Sequence, residues 1–132
     1  MSIINNVLKA VLDLAASAPG VYVQQIGIGA LPPDNGICAQ ISTGTGSPFL
    51  DLGAAYQFSM VLNGKHRNQQ TVSDALNNIH QTLTQTAQLP SGDGYQITAI
   101  ETTQTPSYLG REQNAQHLYG SSLRVKFYFK KG

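Results

Sequence analysis

Three histidines, one cysteine and seven carboxylates are the groups in this chain able to move protons, hold a metal or attack a substrate. Their spacing assembles none of these devices. His80 follows Ile79 on a helical stretch with no second His or acid four residues away, where a helical metal pair needs one, so it reads as a helix-flank histidine. His66 lies within Lys65-His66-Arg67, a compact basic turn able to touch phosphate or an acidic subunit but ordinarily solvated. Cys38 is the only cysteine, which excludes an intrachain disulfide and a cysteine-based zinc site. It stands in an apolar alternating run and reads as a buried, inert thiol. The acids are scattered without an evident pair for general acid–base work. Gly44-Thr45-Gly46-Ser47-Pro48 has the composition of a phosphate cradle but lacks the Lys-Ser/Thr ending and a following helix, so it reads as a flexible tip. No Gly-x-Ser-x-Gly nucleophile elbow occurs. The expectation is a protein that is no enzyme and carries no cofactor or metal.

Contact chemistry remains. Tyr108, Leu109, Arg111 and Glu112 put an aromatic, an aliphatic and two charges together around Gly110, the composition of an interface anchor, with His117 close behind. The same residues can instead pack the segment onto its own sheet. Arg124, Lys126 and Lys130 alternate with Tyr128, and Lys131 follows, so four of the eight basic residues fall in eight consecutive positions. This stripe is expected to face a partner or a DNA channel, or else to guard an edge strand against aggregation.

These residues must be held by secondary structure, and its signals are periodic. Ile3, Ile4, Val7, Leu8, Val11, Leu12 and Ala15 recur at helical spacing, predicting a helix over 3–17 with Ser2 as N-cap and Pro19-Gly20 as stop. Val72, Ala75, Leu76, Ile79 and Leu83 form a second stripe, predicting a helix over 72–87 with Thr71 and Asp74 at capping-box spacing. Strands are expected at 21–28, 37–43, around 56–62, 95–103 and 121–130. In the last, Leu123, Val125, Phe127 and Phe129 alternate with the polar row. Pro106, Gly110 and the polar Arg111–Asn114 stretch predict a shaped loop before that strand, with positive φ at Gly110. The segments around 30–36 and 43–54 are the long loops, where binding surfaces tend to lie. The order helix, three strands, helix, two strands predicts an α+β fold: a mostly antiparallel sheet of about five strands with both helices on one face.

A chain of 132 residues fits one domain, taken as residues 1–132. Only 11% of residues are charged, against about 25% in ordinary soluble domains, which favours a subunit that covers much of its surface in an assembly. A net charge of +1 argues against a dedicated nucleic-acid binder. The first apolar stretch is broken by Asn5, Asn6, Lys9 and Asp13, so neither a signal peptide nor a membrane span is expected.

Pro106-Ser107-Tyr108-Leu109-Gly110-Arg111-Glu112, then Ala115 and His117, followed by an alternating aromatic strand, resembles the C-terminal signature of the phage minor capsid and tail-terminator family of long-tailed bacteriophages. The resemblance is strongest over about a fifth of the chain, and the order of elements before it fits. It implies a virion protein, made in the host cytoplasm, that caps the head-proximal end of the tail tube as a ring, usually a hexamer. The partners implied are further copies of itself, the tail tube protein and a head-side connector protein, with no specific nucleic-acid sequence and no membrane. A head–tail connector or head-closure subunit would share this logic, and a small cytoplasmic ligand-binding domain is the alternative of a different class. The low charge and the Gly/Thr-rich stretch at 43–54 depart from the family pattern.

Overall fold

The computed structural model describes the backbone of residues 3–49, 53–92 and 94–129, and the side chains of 5–41, 55–92 and 94–129. Helix α1 spans Ile3–Ala16 and buries Val7, Leu8, Val11, Leu12 and Ala15, as its spacing predicts. Ser2, the expected cap, lies outside the described residues. Helix α2 spans Gln69–Gln85 and buries the whole predicted stripe. It begins earlier than expected because Asn68 is the cap: its side-chain oxygen accepts the Thr71 amide at 3.1 Å, and its own amide is taken by His66 Nδ1 at 2.9 Å. Thr71 and Asp74 therefore form no capping box, and Asp74 instead accepts from Gln70 at 2.7 Å.

The strands are β1 (Gly27–Ile28), β2 (Gly36–Phe49), β3 (Gly53–His66), β4 (Ser91–Gly92), β5 (Tyr95–Arg111) and β6 (His117–Phe129). They form one sheet in the order β1-β2-β3-β6-β5-β4, antiparallel throughout except for the parallel pair β1–β2. Two of the six are two residues long, so the expected fold class holds: an α+β layer of two helices over a largely antiparallel sheet. The core lies between the layers, where Phe58, Met60 and Leu62 of β3, Ile97 and Ile100 of β5, and Leu123, Val125 and Phe127 of β6 meet the two helical stripes.

Three expectations about strands are corrected. Residues 21–26 are not a strand, although their β-branched and aromatic content reads as one. Val21 and Val23 pack on the core, Ile26 is buried, and the Tyr22 hydroxyl lies 2.8 Å from the Lys65 carbonyl and 3.0 Å from that of Gly36. These side chains are used in tertiary contacts, so only Gly27 and Ile28 join the sheet.

The Gly44–Pro48 stretch is not a loose tip but the second half of β2, paired with β3 from Gly44↔Phe58 to Pro48↔Ala54. Beyond the short β1 this half of β2 is a sheet edge, where glycine and a proline lacking its N–H are tolerated. Likewise, residues 106–111 are not a loop. They continue β5, which keeps pairing with β6 through four register irregularities, one of them between Gln104 and Ser107 at Pro106. Gly110 does adopt the anticipated positive φ, 131°. The actual turn is Glu112–Gln116, closed by Glu112 N–H donating to the Gln116 carbonyl at 2.8 Å, and β6 consequently starts earlier than predicted.

Candidate functional site

The order of strands decides what the predicted contact residues can reach. Past Ile97, whose N–H donates to the Pro90 carbonyl at 3.1 Å, no strand pairs with the outer side of β5 among the described residues, because β4 pairs only with Tyr95 and Gln96. Nearly all of β5 from Glu101 to Arg111 is exposed on this edge. Tyr108 and Leu109 are 46% and 61% accessible, two of the three large hydrophobic side chains exposed among the described residues.

Tyr108 is also held by its own chain. Its ring centroid lies 5.4 Å from that of Tyr119 and 5.9 Å from that of His117, with its hydroxyl 3.1 Å from His117 Nδ1. His117 is thus an intrachain prop for the ring. Leu109 lies over Gly120 on the sheet face away from the helices: a Cβ on Gly120 would fall 2.8 Å from Leu109 Cδ1, so glycine makes the place in which the leucine rests. Arg111 is exposed, with no ion pair among the described residues.

Glu112 differs from its neighbours. Its carboxylate accepts from Lys65 Nζ at 3.0 Å, and the Lys65 side chain is only 6% exposed. Lys65 was expected in a solvated basic turn. It is instead the last but one residue of β3, with its ammonium drawn under the Glu112–Gln116 turn and neutralised there. Around it the same end of the sheet is tied together. The buried Gln116 accepts from the Asn35 amide at 2.8 Å, and Asn114 donates to the Pro33 carbonyl at 3.0 Å, so the 30–36 loop is docked rather than slack.

The positive stripe lies on the open face. Arg124 and Lys126 belong to β6, which is flanked on both sides by β3 and β5, so the edge-guard reading is overturned by the strand order. Glu101 of β5 pairs in register with Arg124, and its carboxylate lies 3.0 Å from Lys126 Nζ. Both partners of that ion pair are nearly half exposed, so it is weak and screened by salt. Lys130 and Lys131 lie outside the described residues. Between the stripe and Leu109 the face forms a shallow groove of about 410 Å³, lined mainly by Ser59, Asn63, Thr103, Gln104, Gly120 and Ser122. It is open, and Val61 and Leu109 add apolar surface to these small polar residues.

The groups able to do chemistry stay apart. No cluster of three or more His, Cys, Asp or Glu able to hold a metal exists among the described residues. Cys38 is buried, and burial pushes its thiol up. His80, read as a helix-flank histidine, is 6% exposed and lies between α2 and β5, with Nδ1 2.8 Å from Thr102 Oγ1 and Nε2 without a hydrogen-bond partner among the described residues. That burial lowers its pKa from the ordinary 6.5 to about 4. No helix is long and apolar enough to cross a membrane among the described residues.

Sequence reasoning missed the opposite edge. Ile28, the third exposed large hydrophobic residue at 64%, ends β1 beside a groove of about 510 Å³ that runs along α1. As a β-branched residue in an apolar run it reads as interior, and only the glycines flanking it, Gly27 and Gly29, hint that the run stops there.

A scan of protein-family models found no match to the chain, and neither did a search of curated proteins. Among solved structures, the chain is similar to one in the virion of a native gene transfer agent particle. The TM-score is 0.73 at 12% identity, with 97% of this chain and 99% of the other covered. The two share their α+β fold from end to end.

Proposed function

We propose that this chain is a structural subunit of a phage-type virion, and that it acts as a tail terminator: a ring of copies that caps the head-proximal end of the tail tube and joins it to a head-side connector. The observation that carries the reading is the whole-chain correspondence with a virion protein, which leaves almost none of either chain unaligned and so is no local motif shared by chance. The Tyr108–Glu112 signature supports it, with Tyr108, Leu109 and Arg111 exposed on a free sheet edge.

Such a protein works by shape. A ring that fits the tube end on one side but does not repeat the tube's own docking surface on the other stops addition of further rings. Its unlike sides then meet two different partners. Subunits around the ring join through two dissimilar patches, the heterologous arrangement that closes when the rotation between copies divides the circle.

The test adds the purified protein to polymerising tail tube protein and measures tube length and end labelling by electron microscopy. Tubes that stop at a length set by the mixing ratio, with label at one end, are the expected result. Unchanged tube length with no label on the tubes would refute the terminator role. Label only on the head-side connector would favour a head-closure subunit instead.

A further inference from the structure

Among the described residues, the exposed large hydrophobic side chains are divided between the two edges of the sheet, Ile28 on one and Tyr108 with Leu109 on the other. They also stand at the same level. The register runs from Gly27 to Cys38, Asn63, Gly120 and Ser107, so a single cross-strand row joins the residue before Ile28 to the residue before Tyr108. A contact between unlike edges at one level needs no shift along the strands from copy to copy. That is the condition for closing a ring whose axis follows the strands rather than growing a filament.

Resting on the ring reading above, we propose that the Tyr108 ring of one copy, a knob on the helical side of β5 against Tyr119, seats in the groove between α1 and β1 of the next, with Leu109 at the same junction on the open face. Leu12, Ala16, Ile26 and Ile28 supply the apolar part of that groove, and its volume of about 510 Å³ admits the edge of a phenol ring. Charge favours the same pairing. Asp13, on the rim of the groove, and Arg111, beside the knob, are both exposed and without an ion pair among the described residues. Seating the knob brings Arg111 to the rim, where Asp13 accepts from it. Lys9, one turn away on the same rim, repels the arginine, so the knob has one preferred placement.

The experiment uses single-cysteine additions. Ile28→Cys and Leu109→Cys are exposed changes that leave the core intact, and the buried Cys38 stays silent toward a short bis-maleimide. A mixture of the two variants should give covalent dimers that neither gives alone, and the double variant should give a ladder ending in a closed species. Tyr108→Asp or Ile28→Asp should raise the concentration at which the full chain assembles at least about tenfold. Asp13→Arg and Arg111→Asp should each weaken assembly and together restore it. Rings by mass in solution without 28–109 cross-links would overturn this contact and leave the ring reading standing. Cross-links within either single variant would overturn it in favour of a two-fold contact. A chain that stays monomeric and uncross-linked at all concentrations, alone and with tail tubes, would sink both.

Discussion

Acidification should destabilise this protein chiefly through His80. Its imidazole is buried between α2 and β5, and burial lowers its pKa from 6.5 to about 4. The unfolded chain therefore binds a proton at a pH where the folded chain refuses one. The stabilisation from keeping His80 neutral is complete above about pH 6.5, declines as pH falls, and is fully lost below about pH 4. With those two pKa values, the linkage gives a loss of about 2 kcal/mol between pH 7 and pH 5. For a domain of this size that is a fall of roughly 8 °C in melting temperature. His66 is shifted in the same direction by its own burial, so the slope of the intact protein alone does not isolate His80. The assay is a set of denaturant titrations from pH 7 to pH 5 on the intact protein and on His80→Gln, which carries no titrating group there. The difference between the two curves should change by about 2 kcal/mol across that range, whatever the variant costs at pH 7. Parallel curves, or an NMR titration of His80 centred at or above 6.5, would refute the reasoning.

Leu83 is wholly buried on α2 and Gln85 is exposed, so Leu83→Asp should cost about 3–5 kcal/mol and Gln85→Asp less than about 1. Equal thermal shifts would show the helix facing to be wrong. Glu112→Gln leaves the buried Lys65 ammonium against a neutral amide and should cost about 1–3 kcal/mol, moderated because the Glu112 side chain is 37% exposed. Lys65→Met removes the charge that needs a partner and should cost less, an order read from denaturant midpoints and contradicted by the reverse. Arg124→Gln with Lys126→Gln should weaken joining of tails in a reconstitution assay and flatten its salt dependence. Joining and salt response like those of the unaltered protein would leave the stripe a merely soluble face.

The parts of the fold that were legible in the sequence are those fixed by local period. Every member of the α2 stripe is buried, and the alternation from Leu123 to Phe127 faces the helices as written. What was not legible depends on which backbone groups find partners far along the chain. Glycine and proline at 44–48 and 106–110 signal loops locally, but β3 and β6 are long enough to pair with those segments, and edge positions tolerate such residues. Val21–Ile26 failed in the opposite sense, since good strand residues were claimed by tertiary packing. The candidate surface was legible at Tyr108 and Leu109, apolar residues set among Pro, Ser and Gly. Glu112 was readable only as a charge beside them, because its partner Lys65 is 47 positions away.

The open sheet face has a physical logic under the proposed role. A sheet covered by helices on one side leaves the other to water or to a neighbour, and here that side carries Ser59, Asn63, Ser122, Arg124 and Lys126 on its two central strands. If copies join along their sheet edges, these faces become one continuous wall. A densely basic wall would neutralise many phosphates and hold DNA fast, with affinity growing steeply with each cation. This face instead sets Glu101 against Lys126 and in register with Arg124, so its positive charge is partly cancelled. Small hydroxyl and amide side chains fill much of the rest, with Val61, Leu109 and Tyr128 among them. Under the proposed role such a wall would guide a polyanion without gripping it, and the residual positive charge of Arg124 and Lys126 is what the joining assay above tests. In that role the edges would carry the assembly, while the open face would meet its partner only through weak, salt-screened charge.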